Sequence, residues 1–278
     1  DVRRDSICKG DNMPENVPPR VPVSAGDVAR LAPATGSRIA VVGAAGGIGS
    51  ALVDALTAAE CEVVALDLPA SLAGWQPPAG VLSIPVDATD EASVSAAFAR
   101  AAECDRPLDG FVCLAGFTAP RMSLAQMDPA TFAEVLDGNL TSTYLTVRAA
   151  LPQLRGDGAA VVLMSSGLGQ KPAPGYGPYA AAKAGVLALT RLLAAECAPA
   201  IRVNAVAPGA VDTAFLRGGT GRSQRESGFN LDAHVATIPL GRMAVPQDVV
   251  GPILFLLGPA SAYMTGQILH INGGLLMP

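Results

Sequence analysis

Residues 38–67 read RIAVVGAAGGIGSALVDALTAAECEVVALD, and this stretch decides the fold. RIAVVG predicts a short strand, residues 50–59 predict a helix with one apolar face, and CEVVALD predicts a second strand. A glycine-rich turn between a strand and a helix lets the backbone approach a phosphate, whose charge the helix N-terminus stabilises. Within a β-α-β unit such a turn predicts dinucleotide binding. The expected contacts in this turn are Gly43, Gly46, Gly47, Ile48 and Gly49.

Asp67 ends the second strand, about 20 residues beyond the glycines, where a carboxylate hydrogen-bonds an adenosine ribose. The same carboxylate would repel a 2′-phosphate. No Arg or Lys stands in the glycine loop or just after Asp67 to neutralise such a phosphate. We therefore expect NAD as the cofactor in preference to NADP. The alternative is an Asp that only caps the following turn.

Strands and helices continue to alternate along the chain. VLSIPVD predicts a third strand ending at Asp87, followed by a helix from about residue 91 to 102, and LDGFVCLAG predicts a fourth strand. Residues 129–154 predict a long helical stretch that Pro152 interrupts. AAVVLM, IRVNAVAP and QILHINGG predict the later strands, and PQDVVGPILFLLG predicts a helix before the last one. This alternation predicts an α/β fold, a Rossmann-type doubly wound parallel β-sheet with helices on both faces in a single domain.

The segment from residue 159 to 193 carries the candidate chemistry. Its strand ends at two serines, a loop of glycines and prolines follows, and Tyr179 and Lys183 then lie four residues apart on one helix face. An ammonium group beside a phenol favours the phenolate. We therefore expect the pKa of Tyr179 to fall towards the working pH, where the phenol accepts or donates a proton. Ser166 is expected to bind the substrate oxygen. The same spacing also occurs where the Tyr is a half-buried ring and the Lys a solvated charge.

The composition indicates a large core and argues against anionic partners. The 278 residues are 50% hydrophobic and 15% charged, with a formal net charge of −5. This charge argues against nucleic acid and anionic membranes, and no apolar run reaches the roughly 18 residues of a membrane span. Five scattered cysteines without a CxxC pair fit a reducing compartment, so we expect a cytoplasmic protein. With only two histidines, His234 and His270, we expect no metal site.

Two stretches depart from the alternating pattern. Residues 1–37 mix charges with prolines and lack periodicity, which predicts a flexible N-terminal extension before one domain at 38–278. They contain no apolar h-region of a secretory signal, although a lead peptide of another kind stays open. Residues 214–236 are polar and glycine-rich, which predicts a mobile lid. Its arginines either hold a substrate carboxylate or phosphate or form a solvated face: Arg217, Arg222 and Arg225.

From Arg38 to its end the sequence resembles the short-chain dehydrogenase/reductase family. GAAGGIG resembles the family's glycine loop, DATD its adenine-contacting turn and APGAVDT its nicotinamide-side loop. GRMAVPQDV through TGQILHINGG resembles its C-terminal signature. Two motifs depart from the family pattern, because Val42 stands where Thr is usual and CLAG at 113–116 stands where NNAG is usual. We expect these changes to alter local packing and to leave cofactor binding intact.

The resemblance implies an NAD-dependent oxidoreductase that interconverts a secondary alcohol and a ketone. Tyr179 would be the general acid/base, and Lys183 would bind the nicotinamide ribose and lower the pKa of Tyr179. Ser166 would orient the substrate oxygen, and Asn139 would hold a water in a proton relay. The implied cofactor contacts beyond the glycine loop are Asp67, Leu68, Asp87, Ala88, Ala115, Gly116, Tyr179, Lys183, Pro208, Gly209, Val211 and Thr213.

The partner is expected to be a small alcohol or ketone, and the family commonly forms tetramers, which implies a homotetramer or a dimer here. Two alternatives stay open. An NADP-dependent 3-oxoacyl carrier-protein reductase needs basic residues around the adenosine and a docking patch for an acidic partner. An inactive cofactor-binding scaffold predicts damage among the catalytic residues, and the sequence shows none. The expected pocket residues are Phe117, Met122, Lys171, Tyr176 and Phe215.

Overall fold

A computed structural model of the chain describes residues 30–223 and 230–278. Within these residues, seven parallel strands form one sheet in the order β3-β2-β1-β4-β5-β6-β7. The strands are β1 (Arg38–Val42), β2 (Glu62–Asp67), β3 (Leu82–Pro85), β4 (Gly110–Cys113), β5 (Ala159–Met164), β6 (Ile201–Pro208) and β7 (Ile268–Ile271). The predicted doubly wound parallel sheet is confirmed.

Helices cover both faces of this sheet. They are α1 (Gly47–Ala58), α2 (Pro69–Ala73), α3 (Glu91–Ala101), α4 (Pro129–Leu136), α5 (Ser142–Ala150), α6 (Gly177–Cys197), α7 (Leu231–Val235) and α8 (Pro246–Leu257). Apolar residues of α1 and α8 pack on one face, and those of α3, α5 and α6 pack on the other. Because successive strand residues point to opposite faces, Ile39 and Val41 of β1 enter one core while Ala40 and Val42 enter the other.

The sheet order places a crevice beside β1. This strand pairs with β2 on one side and with β4 on the other, so the connections on its two sides run in opposite directions. Ligands of such sheets bind at this switch point, outside the carboxyl ends of the strands. The glycine loop follows β1 there, and Ser165 and Ser166 follow β5 at the same edge.

The helical stretch predicted at 129–154 is built from more than one kind of turn. A π-helical turn, Asp137–Thr141, separates α4 from α5, and a 3₁₀ turn, Leu151–Gln153, closes the stretch around Pro152. At the π-helical turn, the Asn139 amide donates to the carbonyl of Val135, and the Thr143 hydroxyl donates to the carbonyl of Asn139. Side chains therefore engage the backbone carbonyls where the helix widens.

Other boundaries move by a few residues. The helix predicted from Ser50 begins at Gly47, with Gly46 as its N-cap in an extended conformation. Position 258 lies against the backbone of Leu31, so part of the chain ahead of β1 contacts the domain. The remainder of the expected extension, residues 1–29, and residues 224–229 of the predicted lid lie outside the described residues.

Two broader properties follow from the described ranges. None of the helices in residues 30–223 and 230–278 is both long enough and apolar enough to cross a membrane. Over the same part of the chain, no three His, Cys, Asp or Glu side chains are grouped so that they could hold a metal ion.

Candidate active site

The glycine loop between β1 and α1 has a shape that only small residues allow. Gly43 has a φ of +83°, in the left-handed region that favours glycine. A Cβ at Gly49 would lie 2.0 Å from the carbonyl oxygen of Gly43, so the first turn of α1 closes onto the loop only with glycine there. Gly46, the N-cap, supplies no side-chain acceptor, and the N-terminus of α1 lines the cleft. These features fit the pyrophosphate of a dinucleotide.

Asp67 binds the glycine loop with its own carboxylate. One oxygen accepts the N–H of Ala45 at 2.8 Å, and the other accepts the N–H of Leu68 at 2.7 Å. Burial raises the pKa of Asp67, and these N–H donors oppose the rise. The residue therefore caps its turn, as the alternative interpretation holds, and it also lines the cleft. The hydrogen bond between Asp67 and Ala45 of the glycine loop was not predicted from the sequence.

A cleft of about 1130 Å³ runs along the carboxyl edge of the sheet. Every residue expected to contact the cofactor lines it, from the glycine loop to Thr213. Ser166, Tyr179 and Lys183 line it as well. Asn139 does not, since it is fully buried behind the wall of the cleft. The structure thus brings the predicted residues to one place, and their individual roles stay predictions.

Tyr179 is buried at the start of α6, and it packs with Phe117 and Val135. Burial raises the pKa of Tyr179 to about 12, while a hydrogen bond with Ser166 lowers it in part. The expected fall of the pKa of Tyr179 is therefore wrong. The ammonium of Lys183 does not offset the effect of burial on this pKa, because its Nζ lies 5.6 Å from the ring centroid and is itself buried. Removal of the phenolate from water dominates.

The side chain of Lys183 extends from α6 towards β5. Its ammonium donates to the carbonyl of Met164 at 3.0 Å, and burial lowers the pKa of Lys183 to about 8. Asn139 donates its amide N–H₂ to the carbonyls of Phe117 and Val135, at 2.8 and 2.9 Å. A Cβ at Gly116 would lie 2.4 Å from Oδ1 of Asn139 and 3.2 Å from Nζ of Lys183. Glycine at 116 therefore keeps space between the amide oxygen and the ammonium.

The described part of the lid lies over the cleft. It begins with a 3₁₀ turn, Ala214–Arg217, and a Cβ at Gly221 would lie 2.4 Å from the hydroxyl of Ser71 in α2. The guanidinium of Arg222 lies 3.5 Å from the centre of the Phe117 ring. Arg217 is exposed and does not line the cleft, and Arg225 lies outside the described residues. The mobility of the lid stays a prediction.

The substrate end of the cleft contains residues that the sequence reasoning missed. Arg121 lines it and lies over the ring of Tyr176, at 5.1 Å, while His234 and Leu276 approach from later in the chain. The position of Arg121 in the loop after β4 is a signal for this, because that loop leaves the carboxyl edge of the sheet. Of the expected pocket residues, Phe117, Lys171, Tyr176 and Phe215 line the cleft, and Met122 does not.

A parallel sheet with a glycine-rich first turn and a buried tyrosine, serine and lysine at its carboxyl edge defines a dinucleotide-binding oxidoreductase. Comparisons with known proteins identify the family within this class. Residues 43–276 match a family model described as enoyl-(acyl carrier protein) reductase. This family model and the relatives below agree, and the chain belongs to the short-chain dehydrogenase/reductase family.

Relatives of the chain include dehydrogenases and reductases. It is 37% identical to cis-4-hydroxycyclohexanecarboxylate dehydrogenase of Sinomonas cyclohexanicum, over 85% of this chain and 96% of that one. It is 36% identical to a 3-oxoacyl-acyl-carrier-protein reductase of Rickettsia felis, over 61% of this chain and 68% of that one. A solved short-chain dehydrogenase/reductase from Brucella melitensis superposes with a TM-score of 0.79 at 27% identity, covering 89% of this chain and 99% of that one. The predicted family and enzyme class are confirmed.

Proposed function

We propose that the protein is an NAD-dependent dehydrogenase that interconverts a secondary alcohol and a ketone. One observation carries this proposal. The phenol of Tyr179 and the hydroxyl of Ser166 lie beside each other, in the cleft that continues to the glycine loop. Nζ of Lys183 and Oδ1 of Asn139 both lie beside Gly116, which lines the same cleft. When bound, NAD would supply the acceptor for the hydride that leaves the carbinol carbon.

The hydroxyls of Tyr179 and Ser166 would hold the substrate oxygen from two sides. With a pKa of about 12, Tyr179 carries its proton at neutral pH. It is therefore suited to donate that proton to the carbonyl oxygen of a ketone, which leaves a phenolate. In the reverse reaction this phenolate, and not the neutral phenol, would take the proton of the alcohol. Ser166 stabilises the charge that develops on the same oxygen. With a pKa of about 8, Lys183 is a cation at neutral pH and would bind ribose hydroxyls.

The residues that would hold NAD follow the cleft from end to end. Gly46 to Gly49 would bind the pyrophosphate, Asp67 and Leu68 the adenosine ribose, and Asp87 and Ala88 the adenine. Pro208 to Thr213 would hold the nicotinamide end. The preference for NAD over NADP rests on the carboxylate of Asp67, since it lines the adenosine end and would repel a 2′-phosphate.

A second candidate is an NADP-dependent 3-oxoacyl carrier-protein reductase. The similarity to the Rickettsia felis reductase supports it. The acidic lining of the adenosine end counts against it. The relative from Sinomonas cyclohexanicum is named for an alcohol that also carries a carboxylate. An inactive scaffold is disfavoured because the sequence retains all four candidate catalytic side chains.

Cofactor titration tests these proposals. The purified protein is titrated with NADH and separately with NADPH, following nicotinamide fluorescence, and then assayed with secondary alcohols and with a 3-oxoacyl thioester. Tighter binding of NADH together with oxidation of alcohols by NAD supports the proposal. Tighter binding of NADPH with reduction of the thioester supports the second candidate. Binding of a nucleotide without turnover of any substrate favours the inactive cofactor-binding scaffold, and binding of neither nucleotide contradicts both candidate activities.

A further inference from the structure

We propose that the substrate carries a carboxylate and that Arg222 binds it. This inference rests on the proposed function, because it takes the cleft beside Tyr179 as the site of the alcohol or ketone. It adds a substrate class and a residue that selects it.

Opposite charges line the two ends of the cleft. Within the ranges that the structure describes, the acidic residues of its lining are Asp67 and Asp87, which end or follow β2 and β3 at the adenosine side. The substrate side is lined by Arg121, Lys171 and Arg222. The cations at the substrate side do not reflect an excess of positive charge in the chain, because its formal net charge is −5. A site with cations and no lining carboxylate at its substrate end favours an anionic substrate.

Of the three cations at the substrate side, Arg222 is the one that lies over a ring packed in the cluster of Tyr179. Its guanidinium carbon lies 3.5 Å from the centre of the Phe117 ring. Phe117 is buried and packs in one cluster with Val135 and Tyr179. A Cβ at Gly138 would lie 2.2 Å from this ring, so the glycine allows Phe117 to occupy this position. One aromatic ring therefore separates the guanidinium from the reacting phenol, and the cation–π contact keeps the guanidinium in place.

The guanidinium of Arg222 forms an ion pair with the carboxylate of Glu134. A substrate carboxylate would displace Glu134 or bind the guanidinium together with it. Nη1 of Arg222 lies 3.1 Å from Oε1 of Glu134, whose side chain is 59% exposed. Ion pairs between exposed side chains contribute little, because water and salt screen them. A guanidinium offers five N–H donors in a planar fork that matches a carboxylate. A substrate carboxylate shielded from water in the cleft would compete well with Glu134.

The choice of a carboxylate over a phosphate follows from the same surroundings. The ring of Phe117 covers one face of Arg222, and Glu134 takes one of its edges. What remains suits a planar anion of single charge better than a dianion that needs donors on several sides. The substrate class is therefore a hydroxy acid or the corresponding keto acid, with apolar carbons between its two polar ends.

A pair of ketones that differ in one charge tests the inference. The probes are 4-oxocyclohexanecarboxylate and its methyl ester, each reduced by the protein with NADH. Hydrogen bonds to charged groups correspond to factors of about 10 to 100 in an equilibrium, so we expect the wild type to prefer the acid by at least about 10-fold in kcat/KM. Arg222→Gln should remove this preference by lowering the value for the acid only. Arg222→Lys should restore part of it.

Arg217→Gln is the matched control, since it removes the same charge from the same lid at a residue that does not line the cleft. It should keep the preference for the acid. Equal kcat/KM values for acid and ester in the wild type would overturn the inference, as would an equal loss for both ketones in Arg222→Gln. Circular dichroism establishes that each variant is folded.

Calorimetry separates this inference from the proposed function if neither ketone is reduced. Cyclohexanecarboxylate and cyclohexanecarboxamide are titrated into the purified protein with and without NADH. Binding of the acid alone that Arg222→Gln abolishes would sustain the carboxylate site and count against the proposed reaction. No binding of the acid at millimolar concentration, or equal binding of acid and amide, would overturn the carboxylate site.

Discussion

The rings of Tyr179 and Phe215 pack with their centroids 5.9 Å apart and their planes inclined by 57°. Phe215 belongs to the 3₁₀ turn that begins the lid, so the candidate acid/base and the lid share one contact. This geometry is favourable for aromatic pairs. The phenol ring is therefore held by packing, and its hydroxyl lies beside Ser166.

Tyr179→Phe removes the hydroxyl and keeps the ring that packs against Phe215. General acid–base catalysis contributes about 10²- to 10⁴-fold, so we expect kcat to fall by at least about 100-fold. NADH binding should stay within about 3-fold of the wild type, since the packing is preserved. Steady-state assays and fluorescence titration measure both quantities. Tyr144→Phe, at an exposed tyrosine of α5, is the control. Undiminished turnover in Tyr179→Phe would refute the acid/base role.

Asp67→Ala should narrow the ratio of NADPH to NADH dissociation constants, because the repulsive carboxylate is lost. It should also destabilise the protein by about 1 to 3 kcal/mol, since the N–H groups of Ala45 and Leu68 lose their acceptors. Nucleotide titration and urea unfolding measure the two effects. Asp54→Ala removes the same charge from an exposed site on α1. An unchanged ratio in Asp67→Ala would show that discrimination lies elsewhere.

Gly49→Ala should impair the glycine loop itself. Its Cβ would meet the carbonyl oxygens of Gly43 and Ala44 at 2.0 and 2.8 Å, and both belong to backbone that cannot swing aside. We expect NADH affinity to fall by at least about 10-fold, with a loss of stability of about 1 to 3 kcal/mol. At Gly156 a Cβ would meet nothing within 4 Å. Gly156→Ala should therefore bind NADH normally, and equal affinities of the two variants would contradict the steric argument.

Lys183→Met tests the cost of burying the ammonium. Below pH 8 the lysine is charged in the folded and the unfolded chain, and the folded state bears the full cost. Between its folded pKa of about 8 and the ordinary value of 10.5, the unfolded chain holds the proton more strongly, so wild-type stability rises with pH. The difference in unfolding free energy between Lys183→Met and the wild type should therefore shift by about 3 kcal/mol in favour of the wild type from neutral pH to about pH 10.

Urea unfolding at a series of pH values measures this shift. The range ends near pH 10, because the raised pKa of Tyr179 acts in the opposite sense above that value. Lys171→Met controls for the loss of a positive charge at the surface. A difference that stays constant across the range would mean that Lys183 is not desolvated in solution.

Local patterns predicted much of this molecule. The strand-turn-helix at 38–58 and the serines after β5 follow from chain order, because all strand ends of a parallel sheet meet at one edge. Tyr179 and Lys183 follow from helical spacing. These regularities need no knowledge of distant contacts, which explains why the fold and the clustering of the site residues were accessible from the sequence.

Other features depend on contacts between distant segments. Burial sets the pKa of Tyr179, and burial is a property of the packed fold, so sequence spacing gave the wrong direction. The bond from Asp67 to Ala45 joins two loops across β1 and β2. The position of Arg222 over Phe117 joins residues more than 100 positions apart. Neither contact leaves a periodic trace in the sequence.

The wide turn at Asp137–Thr141 amounts to one extra residue in the register of the helix. Deleting a single residue there would let α4 and α5 fuse into one regular helix, which is the better structure for an isolated peptide. It would also rotate Asn139 by about 100° relative to one flank, away from Lys183 and Gly116. The chain thus gives up helical regularity at the turn that directs one amide towards Gly116, and a variant with a regular helix here would no longer hold that amide beside Lys183.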